Sequence, residues 1–357
     1  MPTAYIAGMG LQGPAIAYGL HKLGFKVIGM EASAENAKAS REFLEKLKVP
    51  AIIIEKNIFD SFPLSEEKPD VLVSSLPFNL NYRLACLCIE EGIRYCDLGG
   101  NVEISKLIRK KAEESAKAPV MTDLGLAPGI ANIIAEIGYS ELESCSFVKI
   151  RVGGLPVNPK GSLKYGMTFS PQGLYNEYKE ECLILEEGKA KVVEPLTGVE
   201  NLHFDGVGEL EAFYTSGGIS NTLDSMLARG VKECWYKTLR FPGHSALIRF
   251  LLFECGLSIE AFSEAMKNAC GFIKEDQVLI DIELAGENSQ WRRRFRILHD
   301  ENFTAMQKTT GFGAAIVAAI IGEGKVDSLR AVNYAHIAGV GNEFKSYLSQ
   351  LIPEITL

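Results

Sequence analysis

After Met1 and Pro2, the chain continues Thr3-Ala4-Tyr5-Ile6-Ala7-Gly8-Met9-Gly10-Leu11-Gln12-Gly13. The first five of these residues predict a short buried strand, and Gly8 to Gly13 fill the pattern G-x-G-x-x-G. Residues 14–23 predict a helix, and residues 26–30 predict a second strand that ends at Glu31. A strand, a glycine-rich turn, a helix and a second strand in this register are typical of a dinucleotide-binding βαβ unit.

The glycines and their neighbours have separate physical roles in such a unit. Gly8 permits the tight turn from strand to helix, Gly10 lets a pyrophosphate approach the backbone, and Gly13 lets the helix pack closely on the strand. The phosphates would lie beside Leu11 and Gln12 at the helix N-terminus, where free N–H groups and the helix dipole favour anions. The motif therefore predicts a dinucleotide site formed largely by backbone atoms.

Glu31 predicts which dinucleotide binds. It lies eighteen residues after Gly13, at the end of the second predicted strand, where a carboxylate can accept a hydrogen bond from a ribose 2′-OH. The same carboxylate would repel a 2′-phosphate, so the pattern favours NAD over NADP. The alternative is a βαβ turn that binds no nucleotide, since glycine-rich turns are common.

Composition narrows the class of protein. The chain has 357 residues, which is enough for two domains. Of these residues, 47% are hydrophobic and 23% are charged, as is usual for a soluble globular protein. Its net charge of −8 argues against general binding to nucleic acid or to an anionic membrane surface. No basic region followed by an apolar run stands at the start, and the apolar stretch 313–321 is too short to span a bilayer. We expect a cytoplasmic protein.

The eight cysteines are scattered along the chain. None forms a C-x-x-C pair, and the five histidines do not cluster with them. This spacing argues against a structural metal site or a disulfide framework, so we expect buried free thiols in a reducing compartment and no metal.

Apolar strand patterns continue to alternate with helical patterns up to about residue 130. Strands are predicted at 51–55, 71–77, 93–98 and 119–123, with helices at 79–91 and 103–118. This alternation predicts α/β architecture: a Rossmann domain, residues 1–130, with a doubly wound parallel sheet. Ligands of such sheets bind beyond the carboxyl ends of the strands, so the loops that start at Gly8, Ser75, Asp97 and Asp123 should converge.

The pattern changes after residue 130. Residues 147–152 alternate as a strand, and residues 278–284 and 290–298 flank a turn as a β-hairpin. We expect an α+β domain over residues 131–305, built on a largely antiparallel sheet. A helix of small and apolar residues over 309–321 predicts a segment, residues 306–357, that packs back on the first domain or forms a subunit contact.

The ordered motifs resemble the saccharopine dehydrogenase family of NAD(P)-dependent oxidoreductases. In the first half they are G-x-G-x-x-G, Ser75-Leu76-Pro77, the run 95–101 (YCDLGGN) and the run 123–130 (DLGLAPGI). The second half is similar to the lysine 6-dehydrogenase branch, through the runs 152–156, 169–178, 211–215, 238–244 and 309–312. The resemblance covers nearly the whole chain.

The resemblance implies a substrate domain whose sheet often mediates dimerisation, and hydride transfer from a carbon that bears nitrogen. In the lysine branch, NAD takes hydride from the ε-carbon of L-lysine, and the imine loses ammonia to water. The resemblance thus implies an amino-acid substrate and a homodimer. In the saccharopine branch the oxidised carbon carries a secondary amine linked to glutamate.

Hydride transfer from an amine needs a base and a means of holding the substrate. Arg240 and His244 are four residues apart, and an arginine fork matches a carboxylate while histidine titrates close to neutral pH. We predict Arg240 as the substrate clamp and His244 as a catalytic residue. The alternatives are a surface arginine and a hydrogen-bonded structural histidine.

Further candidates follow the strands of the first domain. Asp97 and Asp123 stand at strand ends and could bind the ε-ammonium or take its proton, unless they are turn or cap aspartates. Tyr95 could contact the substrate, with a core tyrosine as the alternative. Gly129 precedes an apolar run that predicts a helix start with N–H groups available for a carboxylate. Ser75-Leu76-Pro77 should line the nicotinamide side of the cofactor site.

Two departures from the family pattern leave rival functions open. Saccharopine reductases usually carry an acid where this chain has Ala127, whereas Ala127 is similar to the lysine 6-dehydrogenase pattern. Many members carry Gly-Glu where this chain has Gly100-Asn101. Saccharopine or carboxynorspermidine oxidoreduction would need a second cation, for which Lys164 and Arg229 are candidates. An inactive relative that binds NAD as a sensing module is the alternative of another class.

Overall fold

The structure, a computed structural model, describes residues 1–62 and 68–357. The chain divides into two compact units, and the first is formed by two separate stretches of sequence. Unit 1 comprises Met1–Ile133 and Gln307–Leu357, and unit 2 comprises Ile134–Met306.

The strands of the described residues all belong to one of two sheets. In chain order they are β1 Thr3–Ala7, β2 Lys26–Glu31, β3 Ile52–Glu55, β4 Val71–Ser74, β5 Tyr95–Asp97, β6 Val120–Met121, β7 Phe147–Pro156, β8 Cys182–Glu186, β9 Lys189–Val193, β10 Glu200–Phe204, β11 Gly208–Tyr214, β12 Glu233–Arg240, β13 Asp276–Ala285 and β14 Gln290–Leu298.

The α-helices are listed in the same way, each by its first and last residue. They are α1 Gly13–Lys22, α2 Ala34–Lys46, α3 Phe78–Glu91, α4 Val102–Ser115, α5 Ile130–Ser140, α6 Pro171–Lys179, α7 Thr222–Ala228, α8 His244–Arg249, α9 Ile259–Ala269, α10 Gly313–Gly322, α11 Tyr334–Gly339 and α12 Gly341–Leu351. A 3₁₀ turn covers Ile58–Ser61, and π-helical turns cover Phe250–Glu254 and Gln307–Phe312.

In unit 1 the described residues form a six-stranded sheet in the order β3-β2-β1-β4-β5-β6. Every pairing in it is parallel. The central strand β4 is buried along its whole length, as its apolar sequence requires when helices cover both faces of a parallel sheet. The strand order reverses between β1 and β4, which creates the switch point at which such sheets bind ligands.

The C-terminal part of unit 1 packs on this sheet and its first helix. All ten residues of α10 are buried, and α10 contacts α1 and β4. A Cβ added at Gly19 of α1 would lie 2.7 Å from Cβ of Ala315 in α10, so glycine and alanine allow the two helices their close approach.

Unit 2 has a sheet of eight strands among the residues described. The order is β10-β11-β12-β7-β13-β14, and β8 pairs with both β12 and β9. The pairing of β12 with β7 is parallel, and the remaining pairings are antiparallel. Helices α6, α8 and α9 enclose a second core whose largest members include Tyr178, Phe213 and Phe262. The two sheets confirm the predicted fold class, a parallel Rossmann sheet and a largely antiparallel second sheet.

No helix in the described parts of the chain combines the length and the apolar character needed to cross a membrane.

Candidate functional site

The glycine-rich loop of unit 1 lies at the switch point of the parallel sheet. Gly8 has φ +90°, and its N–H donates to the Met30 carbonyl at 2.8 Å. A Cβ at Gly8 would lie 2.8 Å from the Ser75 carbonyl oxygen, so both the backbone angle and the close neighbour require glycine. The loop that follows β4 therefore contacts the first glycine of the motif.

The other two glycines of the motif differ in what surrounds them. A Cβ at Gly13 would lie 2.4 Å from the Gly8 carbonyl oxygen, whereas a Cβ at Gly10 would meet no atom within 4 Å. Gly13 thus permits packing within the protein, and Gly10 leaves open space beside the backbone. No side chain caps α1, so the positive end of its dipole is available to an anion.

The Glu31 carboxylate lies at the end of β2, beside this loop. Its Oε2 accepts a hydrogen bond from the Met9 N–H at 2.7 Å, and its Oε1 accepts one from the Ser33 N–H at 2.9 Å. These bonds fix the carboxylate next to the open space at Gly10. Each oxygen keeps a lone pair that can accept a ribose hydroxyl.

The predicted cofactor residues of unit 1 therefore lie together. Ser75-Leu76-Pro77 follow β4, and the Ser75 N–H donates to the Ala7 carbonyl at 2.8 Å. The open approach at Gly10, the uncapped start of α1 and the fixed Glu31 fit an adenine dinucleotide. Leu11, which is exposed, and Gln12 occupy the turn between the second and third glycines.

One support of this loop was not predictable from the sequence. The side chain of Gln307 donates from Nε2 to the Leu11 carbonyl at 2.9 Å, although 296 residues separate the two. Gly311 packs on α1, where an added Cβ would lie 2.5 Å from Cβ of Ala15. The C-terminal stretch of unit 1 therefore supports the glycine-rich loop by a hydrogen bond to Leu11 and by packing on α1.

Asp97 ends β5 and is almost completely buried. Its Oδ1 accepts hydrogen bonds from the N–H groups of Gly99, at 2.8 Å, and Asp123, at 3.2 Å. Its Oδ2 is buried and accepts no hydrogen bond of standard geometry from the described residues. Burial, with the neighbouring Asp123 charge, raises the pKa of Asp97 to about 7. A carboxyl group in this state can take up and release a proton near neutral pH.

Asp123 is bound within unit 1 by other side chains. Its Oδ1 accepts from Ser105 Oγ at 2.6 Å, and its Oδ2 accepts from Arg109 Nη1 at 2.8 Å and Thr122 Oγ1 at 3.2 Å. Its backbone has φ +64° and its carbonyl accepts from the Tyr334 hydroxyl. Ser105 and Arg109 were not identified from the sequence, because only the fold brings α4 beside this strand end.

Tyr95 lies in the hydrophobic core of unit 1. It is fully buried, and its hydroxyl donates to the Asn81 carbonyl at 3.3 Å. It packs in the cluster that includes Leu72 and Leu84. Burial, with the nearby Asp97 charge, raises the pKa of Tyr95 well above its usual range. Tyr95 therefore packs in the core next to Asp97, and its contact with a substrate stays a prediction.

The helix start at Gly129 is closed, contrary to the expectation of free N–H groups. The Gly129 N–H donates to Asn132 Oδ1 at 2.9 Å, the Ile130 N–H to the Gly125 carbonyl at 2.9 Å, and the Ala131 N–H to the Leu126 carbonyl at 3.0 Å. An added Cβ at Gly129 would lie 2.0 Å from the Gly125 carbonyl oxygen. These N–H groups are satisfied within the protein, so Gly129 shapes the turn and offers no site for a carboxylate.

In unit 2, Arg240 ends β12 and His244 begins α8. Glu211 fixes the turn between them, because its carboxylate accepts the N–H groups of Gly243 at 2.9 Å and Ser245 at 2.6 Å. Gly243 has φ +94°, which the turn requires. Both predicted side chains are buried, so neither is a surface group.

A chain of hydrogen bonds joins the two side chains through Tyr178 of α6. Arg240 Nε donates to the Tyr178 hydroxyl at 2.9 Å, and that hydroxyl lies 3.1 Å from His244 Nε2. His244 Nδ1 lies 3.2 Å from the Leu163 carbonyl oxygen, which can only accept, so Nδ1 carries the proton. His244 Nε2 therefore accepts from Tyr178, and the chain is fully satisfied.

His244 was predicted to be a catalytic residue because histidine titrates close to neutral pH, but its environment changes its pKa. Burial, with the nearby Arg240 charge, lowers the pKa of His244 to about 3. The imidazole is therefore neutral at physiological pH, and it acts in the structure as a hydrogen-bond acceptor that orients Tyr178.

Glu177, the residue before Tyr178, faces Arg240. Its Oε1 lies 3.6 Å from Arg240 Nη2 and accepts a hydrogen bond from Thr238 Oγ1 at 2.7 Å. Burial raises the pKa of Glu177, and the Arg240 charge opposes that shift. The ring of Tyr165 lies 4.8 Å from the Arg240 guanidinium. The sequence offered one signal for this pair: Glu177 and Tyr178 lie in a motif of the family resemblance.

The two candidates for a second cation have different surroundings. Arg229 Nη1 pairs with the buried Glu136 at 2.7 Å, so its charge is already balanced. Lys164 is exposed and lies between Leu163 and Tyr165, both of which contact the Arg240–Tyr178–His244 chain. Within the described residues, no group of three or more His, Cys, Asp or Glu side chains is placed to hold a metal ion.

Comparison with known proteins agrees with this architecture. A model of the saccharopine dehydrogenase C-terminal domain matches residues 125–351. The structure is similar to apo saccharopine dehydrogenase (L-Glu forming) from Saccharomyces cerevisiae, with a TM-score of 0.75 and 12% sequence identity over 99% of this chain and 98% of that one.

Two further solved structures are similar at a lower level. A probable dehydrogenase from Thermotoga maritima has a TM-score of 0.47 and 10% identity over 96% of this chain and 95% of its own. DAP dehydrogenase of C. glutamicum in complex with DAP has a TM-score of 0.45 and 8% identity over 94% and 93%. Of the three, the yeast enzyme is similar enough to establish a shared fold. Because the domain model covers more than half of the sequence, the chain belongs to the saccharopine dehydrogenase family of oxidoreductases.

Proposed function

We propose that the chain is an NAD-dependent oxidoreductase that oxidises the C–N bond of an amino acid, with the ε-amine of L-lysine as its substrate. The oxidoreductase part of this proposal is supported by the glycine-rich loop at the switch point of the sheet. There the open space at Gly10 and the uncapped start of α1 lie beside the Glu31 carboxylate, which hydrogen bonds hold in place. When bound there, NAD would supply the hydride acceptor.

The residues that would hold NAD act mainly through geometry. The N–H groups at the start of α1 would bind the pyrophosphate, and Glu31 would accept a ribose 2′-OH. Glu31 already accepts two backbone N–H groups, so its position is set before the cofactor arrives. A 2′-phosphate at this carboxylate would bring like charges together, which supports NAD over NADP.

The amino-acid part of the proposal rests on Arg240. Its guanidinium is buried and held at Nε by Tyr178 and at Nη1 by the Leu239 carbonyl, which leaves other N–H groups for a substrate carboxylate. His244 orients Tyr178 and so positions Arg240. For the proton of the substrate amine, Asp97 is the better candidate base, because both Asp123 oxygens already accept side-chain hydrogen bonds.

The test is NADH formation from NAD and L-lysine at alkaline pH, followed at 340 nm. We expect turnover by the purified chain, and a loss of at least tenfold in kcat/KM in Arg240→Ala, since a charge-assisted bidentate contact is lost. Arg249→Ala is the matched control, because Arg249 is a partly exposed arginine of α8. Wild-type turnover that survives in Arg240→Ala would contradict the assignment of Arg240.

Saccharopine is the alternative substrate, and one observation favours it. Lys164 lies beside the residues that contact Arg240 and His244, so a second carboxylate would find a cation nearby. Turnover of saccharopine without turnover of L-lysine would replace the lysine proposal. NAD binding without turnover of either amine would favour the sensing module instead.

Cofactor choice has its own test in Glu31→Gln. We expect this variant to bind NAD about tenfold more weakly and to lose discrimination against NADP, since a hydrogen bond to a charged acceptor contributes roughly 1.5–3 kcal/mol. Glu55→Gln is the control, because Glu55 pairs with Glu31 in register at the end of the next strand and is exposed. Unchanged affinities for both nucleotides would contradict the role given to Glu31.

We also propose a cytoplasmic location, which the eight free cysteines support, and a homodimer, which the family resemblance supports. Sedimentation of the purified chain at micromolar concentration tests the dimer, and a monomer under those conditions would contradict it.

A further inference from the structure

We propose that Glu177 and Arg240 together bind the head group of the substrate, Glu177 its free α-ammonium and Arg240 its α-carboxylate. The site would then select amino acids whose α-amino group carries no substituent. This inference extends the proposed function from the reacting amine to the opposite end of the same molecule.

Glu177 and Arg240 form a largely buried pair of opposite charges. Glu177 Oε1 and Arg240 Nη2 are 3.6 Å apart, and their side chains are 16% and 3% exposed. A ligand that carries only a negative charge would be attracted by Arg240 and repelled by Glu177, and an amine alone would meet the reverse. A zwitterionic head group matches both charges and leaves neither of them unpaired. An unpaired charge would be costly, because both side chains are largely buried.

Two buried hydroxyls, those of Tyr165 and Thr168, have few hydrogen-bond partners within the protein. The two hydroxyls interact with each other, and neither makes a hydrogen bond of standard geometry with another described residue. Tyr165 is 4% exposed, and its ring packs on the Arg240 guanidinium. Buried polar groups nearly always use their donors and acceptors, so a buried Tyr165 hydroxyl that has only Thr168 near it, beside an ion pair, supports a polar ligand.

Hydrogen bonds within the protein hold both charged side chains in place. Thr238 Oγ1 holds Glu177 Oε1 at 2.7 Å, and Thr215 Oγ1 lies 2.7 Å from Thr238 Oγ1. Tyr178 holds Arg240 on its other side. The two charges are thus fixed before a ligand binds, which reduces the entropy lost on binding.

The experiment measures binding without catalysis, by calorimetry, with and without NADH. The probes are L-norleucine, which has the head group but no reactive ε-amine, and its Nα-acetyl derivative, hexanoate and hexylamine. We expect L-norleucine to bind at least tenfold more tightly than each of the other three. Equal binding of L-norleucine and Nα-acetyl-norleucine, or no binding of L-norleucine, would overturn the inference.

Variants locate the effect at Glu177. Glu177→Gln should remove the preference for L-norleucine over its Nα-acetyl derivative, and Glu177→Asp should restore part of it. Glu181→Gln, the same change at an exposed position four residues later, should retain the preference. A preference that persists in a folded Glu177→Gln would overturn the inference. Thermal unfolding of each variant checks that it is folded.

The two proposals fail in different ways. If the chain binds L-norleucine with the expected preference but oxidises neither lysine nor saccharopine, the head-group site stands and the proposed reaction is wrong. If it oxidises L-lysine and Nα-acetyl-lysine with equal kcat/KM, the reaction stands and the role of Glu177 is wrong.

Discussion

Two glycines of one motif differ in what their missing Cβ permits. At Gly13 a Cβ would lie 2.4 Å from a backbone oxygen, while at Gly10 it would meet no protein atom within 4 Å. We expect Gly13→Ala to reduce stability by roughly 1–3 kcal/mol, because backbone must shift. Gly10→Ala should leave the thermal midpoint of the free chain unchanged and weaken NAD binding at least tenfold.

Thermal unfolding and NAD titration of the two variants separate these effects. Gly339→Ala is the matched control, because Gly339 has open space at its Cβ position and an ordinary φ. Gly161 also has open space, but its φ of +69° would strain an alanine. A Gly10→Ala variant that binds NAD normally would show that the pyrophosphate does not approach the loop there.

Asn101, where many family members carry a glutamate, is the N-cap residue of helix α4. Its Oδ1 accepts the Ile104 N–H at 3.0 Å and so caps α4. We expect Asn101→Ala to lower the free energy of unfolding by about 1 kcal/mol, and Asn101→Asp to retain the cap. Chemical denaturation measures both, with NAD affinity expected to stay the same. A large loss of turnover in Asn101→Ala at unchanged stability would point to a direct role in the reaction.

At the level of elements, local sequence predicted most of the fold. Apolar runs located β1, β2 and β4, and Gly92 with φ +68° ends α3 as its type predicts. The start of the C-terminal helix was harder to predict, since residues 307–312 form a π-helical turn. Its Gly311 packs on Ala15, a contact between residues far apart in sequence that no local pattern can reveal.

For the whole molecule, the buried neutral His244 makes stability depend on pH. Its pKa is about 3 in the folded chain and about 6.5 when exposed, so between these values the unfolded state binds a proton that the folded state does not. Stability is therefore lost as pH falls below 6.5. Between pH 7 and pH 5 this group should cost about 2 kcal/mol.

Replacing the imidazole tests this linkage. Chemical denaturation at pH 7 and pH 5 should show a smaller acid loss in His244→Gln than in the native chain, by about the same 2 kcal/mol. His203→Gln, at an exposed histidine of unit 2, should show the native loss. Equal losses in the native chain and His244→Gln would mean that the folded chain binds a proton at His244.

The candidate site was predictable to different extents in the two units. The glycine loop and Glu31 lie within 24 residues of sequence, from Gly8 to Glu31, and one motif defines their spacing. Arg240 and Tyr178 are 62 residues apart, and the pairing of Glu177 with Arg240 depends on how α6 packs in unit 2. Motifs therefore identified individual side chains there, but their hydrogen-bond partners and pKa shifts required the fold.

Because unit 1 is assembled from two stretches of sequence on either side of unit 2, the order of protein synthesis determines when unit 1 can be completed. The glycine-rich loop emerges from the ribosome before unit 2, whereas Gln307 and Gly311, which support the loop, emerge after unit 2. The residues of unit 2 are all translated in between. A nascent or prematurely terminated chain that has not reached Gln307 therefore lacks both supports of the glycine-rich loop.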